Sequence, residues 1–186
     1  MQRRIGSVLA LLAVTLLAAA PAPPVAPATV VLLVRHAERA PGTGDVPISD
    51  VGQSRAQALA EIGKVAGVSA IITTQFQRTR QTAAPLAEAL GITPVVVGTQ
   101  SDGAKHAAEV AAAVRQQAGK TVLVVGHSNT VAAIVAALGG PRFPDYCDPA
   151  YDNLVTMVLD AEGGVRTVRS KFGAPTPVDS ACAVMR

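Results

Sequence analysis

The sequence predicts an α/β domain: a three-layer α/β/α sandwich with helices on both faces of a mostly parallel sheet and an antiparallel C-terminal edge. Three observations carry this reading. Short apolar runs rich in β-branched residues alternate with segments whose apolar residues recur at helical spacing. Apolar residues make up 49% of the 186-residue chain while aromatics are 3% and Trp is absent, so Val, Leu, Ile and Ala must build the core, as in a buried parallel sheet. Towards the C-terminus the alternation stops, and two strand-like runs flank a Gly-Gly turn.

The run TVVLLVR over residues 29–35 is continuously apolar and short, which suits a central strand. From Asp50 the positions Ala56, Leu59, Ile62 and Ala66 recur with helical period, with Ser49 or Asp50 available as the N-cap. Residues 68–73 read as a second strand. Ala83, Leu86, Ala87 and Leu90 fit one helical face that Gly91 terminates, and Pro85 is expected to kink that helix. A short strand over 94–97 follows, then a third helix marked by Ala107, Val110, Ala111 and Val114, and a buried strand over 121–125. Val131, Ile134, Val135 and Leu138 mark a fourth helix, ended by Gly139-Gly140. Crossovers of this kind are right-handed and keep the strands parallel. The runs 154–159 and 165–171 flank Glu162-Gly163-Gly164 and form the expected hairpin.

Met1-Gln2-Arg3-Arg4 followed by an uncharged run over 5–20 has the basic and apolar regions of a secretory signal peptide. Residues 1–28 are therefore read as a signal peptide with a Pro-rich linker, and 29–186 as one domain of an exported protein, periplasmic or secreted. The apolar run is short for a membrane span and the prolines over 21–27 would not continue a helix, so no stable span is expected after cleavage. A retained signal anchor is the alternative. Ala26-Pro27-Ala28 offers one cleavage site and Ala18-Ala19-Ala20 a rival. Removing the segment leaves 14 basic against 13 acidic residues, with no Lys/Arg stripe interleaved with aromatics, so nucleic acid is not an expected partner. Cys147 and Cys182 would pair in an oxidising compartment, the alternative being two separate buried thiols.

Ligands of an open α/β sheet bind beyond the carboxyl ends of its strands. The first strand delivers Arg35-His36-Ala37-Glu38-Arg39; the second delivers Thr73-Thr74 and then Arg78 at a helix start; the strand over 121–125 delivers Gly126-His127-Ser128-Asn129. Two arginines and two imidazoles then face one cleft, an arrangement that suits a phosphate dianion: guanidinium forks match its oxygens, and a helix starting after Gly126 would add N–H donors. A neutral histidine there can attack phosphorus while its other ring nitrogen is held as a donor. His36, Glu38 and His127 together make a conceivable metal set, but neighbouring arginines would repel a cation, so no metal is expected.

At Arg35-His36-Ala37-Glu38, at the run from Thr73 through Arg78-Thr79-Arg80 to Ala83, and at Gly126-His127-Ser128-Asn129, the chain resembles the histidine phosphatase superfamily, also called phosphoglycerate mutase-like, in its compact single-domain bacterial branch. The likeness covers about residues 29–172. It implies that His36 becomes a phosphohistidine, that Arg35, Arg78 and His127 hold the phosphoryl group, and that no cofactor is needed. It also implies an acid that protonates the leaving oxygen, often in the segment after the third strand, here residues 98–106. Asp102 is the candidate by position and Glu38 the second. The expected substrate is a small phosphate monoester or a phosphoprotein, phosphohistidine included.

Other residues read more plainly. Asn129, Tyr151 and Asn153 are candidates for substrate contact, the latter two in the long connection over 141–153, whose Asp and Pro content equally suits a surface loop. Arg39 and Arg80 read as surface residues, and His106 as a solvated residue or helix cap. A phosphate- or phosphopeptide-binding module without turnover is one alternative function. An α/β-hydrolase esterase using Ser128 is another, weakened because position 130 is Thr rather than Gly and no histidine follows His127. A mutase is disfavoured, since few residues are spare for the cap that would enclose its cleft.

Overall fold

The computed structural model describes residues 26–99 and 102–177. The expected signal segment up to residue 25, and Cys182, lie outside the described residues. Ten elements follow one another: β1 (Thr29–Arg35), α1 (Asp50–Val65), β2 (Val68–Thr73), α2 (Gln77–Leu90), β3 (Val95–Val96), α3 (Gly103–Arg115), β4 (Thr121–Gly126), α4 (Val131–Ala137), β5 (Asn153–Leu159) and β6 (Val165–Lys171). The sheet order is β3-β2-β4-β1-β5-β6. The first four of these strands run parallel, and β5 and β6 pair antiparallel, as expected for the C-terminal edge.

The apolar continuity of β1 has a direct cause. Val31 and Leu33 enter a core with α3 and α4, whereas Leu32 and Val34 enter a second core with α1 and α2. All four are at most 4% exposed, and each such burial is worth about 1.5–3 kcal/mol. A strand covered on both faces cannot alternate in polarity.

Local signals position the helices that surround the cleft. Ser49 is the N-cap of α1, its hydroxyl accepting from the Gly52 amide at 3.2 Å, so Asp50 is the first helical residue instead. Gly52 lets α1 lie against the backbone of Glu38, because a Cβ there would stand 2.4 Å from the Glu38 carbonyl oxygen. α2 runs through Pro85 to Leu90 and ends at Gly91 in the left-handed conformation, φ 63°. β3 is shorter than the expected 94–97: only Val95 and Val96 pair, against Ile72 and Thr73, at an exposed edge. Pro94 has no N–H to contribute to such a ladder. No helix among the described residues is long and apolar enough to cross a membrane.

Candidate active site

The register of the sheet assembles the site. Arg35 pairs with Gly126, and the His36 amide donates to the Gly126 carbonyl at 2.9 Å, so His36 and His127 leave neighbouring parallel strands at the same level. Their rings meet edge to face with centroids 5.3 Å apart. β2 ends beside them: the Thr74 hydroxyl lies 3.1 Å from His127 Nε2 and is itself tied to Thr79 in the first turn of α2. That turn also carries Arg78. Arg35, His36, Arg78 and His127 line one cleft of about 550 Å³, joined by Arg39 and His106.

Protonation follows from the surroundings. His36 Nδ1 lies 2.8 Å from the Ala37 carbonyl oxygen, which can only accept, so Nδ1 carries the hydrogen and Nε2 keeps its lone pair. Burial pulls the His36 pKa down to about 4; the Ala37 bond opposes this, and the charges of Arg35, Arg78 and Arg39 add to it. His127 is drawn to about 3, again chiefly by burial and then by His36, Arg78, His106 and Arg35. Both rings are neutral at pH 7, the state in which an imidazole is a nucleophile.

The arginines are held in place with donors to spare. Arg35 Nη1 donates to the carbonyls of Cys147, at 3.1 Å, and Asp148. Its Nη2 donates to the Asp148 carboxylate at 2.8 Å and to the Tyr151 hydroxyl at 3.3 Å, while the Tyr151 ring lies 4.0 Å from Cζ. The Nε hydrogen is buried with no partner among the described residues. Arg78 rests on the Phe76 ring at 4.3 Å, and its Nη1 is 3.7 Å from the Asp45 carboxylate, too far for a hydrogen bond. Its Nε and Nη1 are likewise buried and unpartnered. A buried donor left unpaired costs about 1–3 kcal/mol, more when charged, and an oxyanion in the cleft would remove that cost.

The remaining predicted residues separate clearly. Asp102 is the N-cap of α3: its carboxylate accepts from the Ala104 and Lys105 amides at 2.9 and 3.2 Å, and it does not line the cleft. Glu38 faces away, its oxygens taken by Arg55 Nε at 3.0 and 2.9 Å and by Nη2 at 2.6 Å. Asn129 and Ser128 line the cleft, and the Ser128 hydroxyl has no histidine or acid partner among the described residues. Tyr151 supports Arg35 from the side, whereas Asn153 accepts from Lys171 at 3.1 Å, outside the cleft. After Gly126 the His127 amide is taken by the Thr130 hydroxyl at 2.9 Å, and α4 starts only at Val131.

Two of the plain readings need correction. His106 is not solvated: it is 1% exposed, with Nδ1 3.2 Å from the Gly98 carbonyl and Nε2 without a hydrogen-bond partner among the described residues. Arg39 is exposed but stands in the cleft wall, whereas Arg80 is exposed and outside it. Asp148 and Arg55 were missed. Arg55 had a signal, since it sits between Gly52 and Ala56 on the buried stripe of α1, where a cation must have a partner. Asp148 had none, lying in a connection without periodicity. Cys147 is disulfide-bonded, and Cys182, its expected partner, lies outside the described residues.

Residues 31–100 match the family profile described as histidine phosphatase superfamily, branch 1. The protein histidine phosphatase SixA, complexed with tungstate, is similar in structure with a TM-score of 0.60 at 20% identity, over 76% of this chain and 96% of that one. A mycobacterial glucosyl-3-phosphoglycerate phosphatase gives 0.55 at 18% identity, over 77% and 98%. A phosphoserine phosphatase from Entamoeba histolytica, in complex with 3-phosphoglyceric acid, gives 0.56 at 14%, over 79% and 98%. No curated protein sequence matches the chain. The matched profile over residues 31–100 and a shared fold that extends beyond residue 100 make this chain similar to the histidine phosphatase superfamily.

Proposed function

We propose that the protein is an exported, metal-independent phosphatase that hydrolyses phosphate monoesters, or phosphohistidine, through a covalent phosphohistidine at His36. The observation that carries this reading is the juxtaposition of an imidazole with its Nε2 lone pair available and two arginines whose buried N–H donors lack hydrogen-bond partners among the described residues, all lining one cleft. Nε2 of His36 attacks phosphorus in line, the P–O bond to the leaving group breaks, and that oxygen takes up a proton. Water then attacks the phosphohistidine, the P–N bond breaks, and inorganic phosphate leaves. Arg35, Arg78 and His127 bind the equatorial oxygens as charge develops on them. Guanidinium groups supply the positive charge that a metal provides in other phosphatases, so no cofactor is invoked.

The structural neighbours act on a phosphorylated protein, a sugar phosphoglycerate and phosphoserine by their names, which favours a phosphorylated small molecule or phosphoprotein as substrate without choosing between them. Acid quenching during turnover of an aryl phosphate tests the mechanism. An acid-labile, base-stable phosphoryl label that disappears in His36→Ala is the expected result. An acid-stable label removed by Ser128→Ala overturns it. A protein that binds inorganic phosphate but turns nothing over is the phosphate-binding module instead.

A further inference from the structure

We propose that His106 is the catalytic proton donor of this cleft, a role that rests on the phosphatase reading above. Alkoxide is a poor leaving group, so hydrolysis of an alkyl phosphate calls for a proton at the departing oxygen. The carboxylates that sequence suggests for this are engaged elsewhere: Glu38 on Arg55, and Asp102 on the first turn of α3. Asp148, the carboxylate in the cleft wall, is engaged with Arg35 Nη2 at 2.8 Å. Three imidazoles remain. His36 is committed to phosphorus and His127 to the phosphoryl oxygens, which leaves the ring of His106.

The geometry of that ring suits the task. It projects from the first turn of α3 into the cleft wall, and its Nδ1 is held 3.2 Å from the Gly98 carbonyl in the segment that follows β3. A carbonyl fixes Nδ1 as a donor, so Nε2 is the ring atom left to face a substrate oxygen. That Nε2 is buried and unpartnered among the described residues, in a side chain 1% exposed. Leaving a ring nitrogen without a partner costs free energy, and a substrate oxygen in the cleft would supply one. As the P–O bond breaks, its electron pair passes to the leaving oxygen, which takes the proton from Nε2 and leaves His106 neutral. In the second half-reaction the same Nε2 accepts a proton from the attacking water, and the imidazolium is restored.

The test compares p-nitrophenyl phosphate, whose leaving group needs no proton, with glycerol phosphate, whose leaving group does. His106→Asn keeps a donor towards the Gly98 carbonyl and should lose about 10²- to 10³-fold in kcat on the alkyl ester, with only a few-fold loss on the aryl ester. His106→Gln, which places an amide near Nε2 that can hydrogen-bond but cannot give up a proton, should show the same selective loss. Equal losses on both substrates, or no loss on either, overturn the proposal. If neither variant folds, the wild type decides: across aryl phosphates of decreasing leaving-group acidity its kcat should stay nearly level, and a steep decline refutes a proton donor. A wild type silent on both esters, or unaffected by His36→Ala, removes the phosphatase reading itself and this role with it.

Discussion

Glu38 lies two residues after His36, the proposed nucleophile, and invites assignment as the leaving-group acid, yet its carboxylate lies against Arg55. Glu38→Gln separates the two roles. The Arg55 side chain is 2% exposed and that of Glu38 18%, and their closest contact is 2.6 Å. The Arg55 guanidinium also donates to the carbonyls of Phe172 and Ala174 at 2.9 Å, so it ties α1 to the segment after β6. Neutralising Glu38 leaves that charge buried with carbonyls alone, and breaking a buried pair in this way costs about 3–5 kcal/mol. For a domain of roughly 150 residues each kcal/mol moves the melting temperature by about 2–4 °C, so a depression of about 6–20 °C is expected. Circular dichroism melts give that figure. The kcat on an alkyl phosphate, measured well below the lowered transition, should stay within a few-fold of wild type. Adding Arg55→Met removes the orphaned charge, and the double variant should recover most of the lost stability. A variant that melts like wild type but loses alkyl-phosphate turnover refutes the structural role and returns Glu38 to the chemistry.

His36→Ala should abolish turnover of every phosphate ester while Ser128→Ala retains most of it, as steady-state assays would establish; the reverse pattern would select a serine esterase. Activity should persist into acid, because the Nε2 lone pair of His36 is lost only near pH 4 rather than near 6.5, and a kcat/KM profile with an acid limb close to 6.5 contradicts the assigned protonation. Stability should run the other way: the unfolded chain takes up protons at both histidines near pH 6.5 while the folded one resists until about 4 and 3, so each contributes stability above 6.5 that falls by about 1.4 kcal/mol per pH unit as the pH drops towards its folded value, as denaturant titrations at several pH values would measure. Inorganic phosphate at a hundred times its dissociation constant should stabilise the wild type by about 2.7 kcal/mol, and Arg78→Met should lose most of that shift in a thermal melt; equal stabilisation of both would place the anion elsewhere.

The order of layers and the meeting of Arg35, His36, Arg78 and His127 were readable in the sequence for one reason. Residues at the carboxyl ends of parallel strands are brought together by backbone pairing, and a continuous Val/Leu/Ile run marks such a strand. The pairing of Arg35 with Gly126 delivers both histidines without reference to any side chain in between. Asp102, Glu38 and His106 escaped because their roles depend on direction. Asp102 precedes the helix it caps by a single residue, and a carboxylate at that position satisfies backbone amides before it can serve a cleft. Glu38 and Arg55 are 17 residues apart, on a loop and a helix whose contact depends on the absence of a side chain at Gly52. Periodicity places His106 beside Ala107 on the buried stripe of α3, but an imidazole at a stripe's edge can equally face water.

The cleft joins two kinds of information that the fold keeps apart. The half proposed to hold the phosphoryl group is built from strand ends and the first turn of α2, and Arg35 Nε together with Arg78 Nε and Nη1 lack hydrogen-bond partners among the described residues. In the proposed reading such a half recognises the charge and geometry of a phosphate whatever it is esterified to. Its outer half comes from segments without regular pairing, among them Thr99 and Asp148, and includes the exposed Arg39. Changes in those segments do not disturb the sheet, so leaving-group preference can diverge while the phosphoryl half stays fixed. This is why phosphatases named for a protein histidine, a glucosyl phosphoglycerate and phosphoserine share one architecture with this chain, and why the substrate has to be sought through the side chains at the mouth of the cleft.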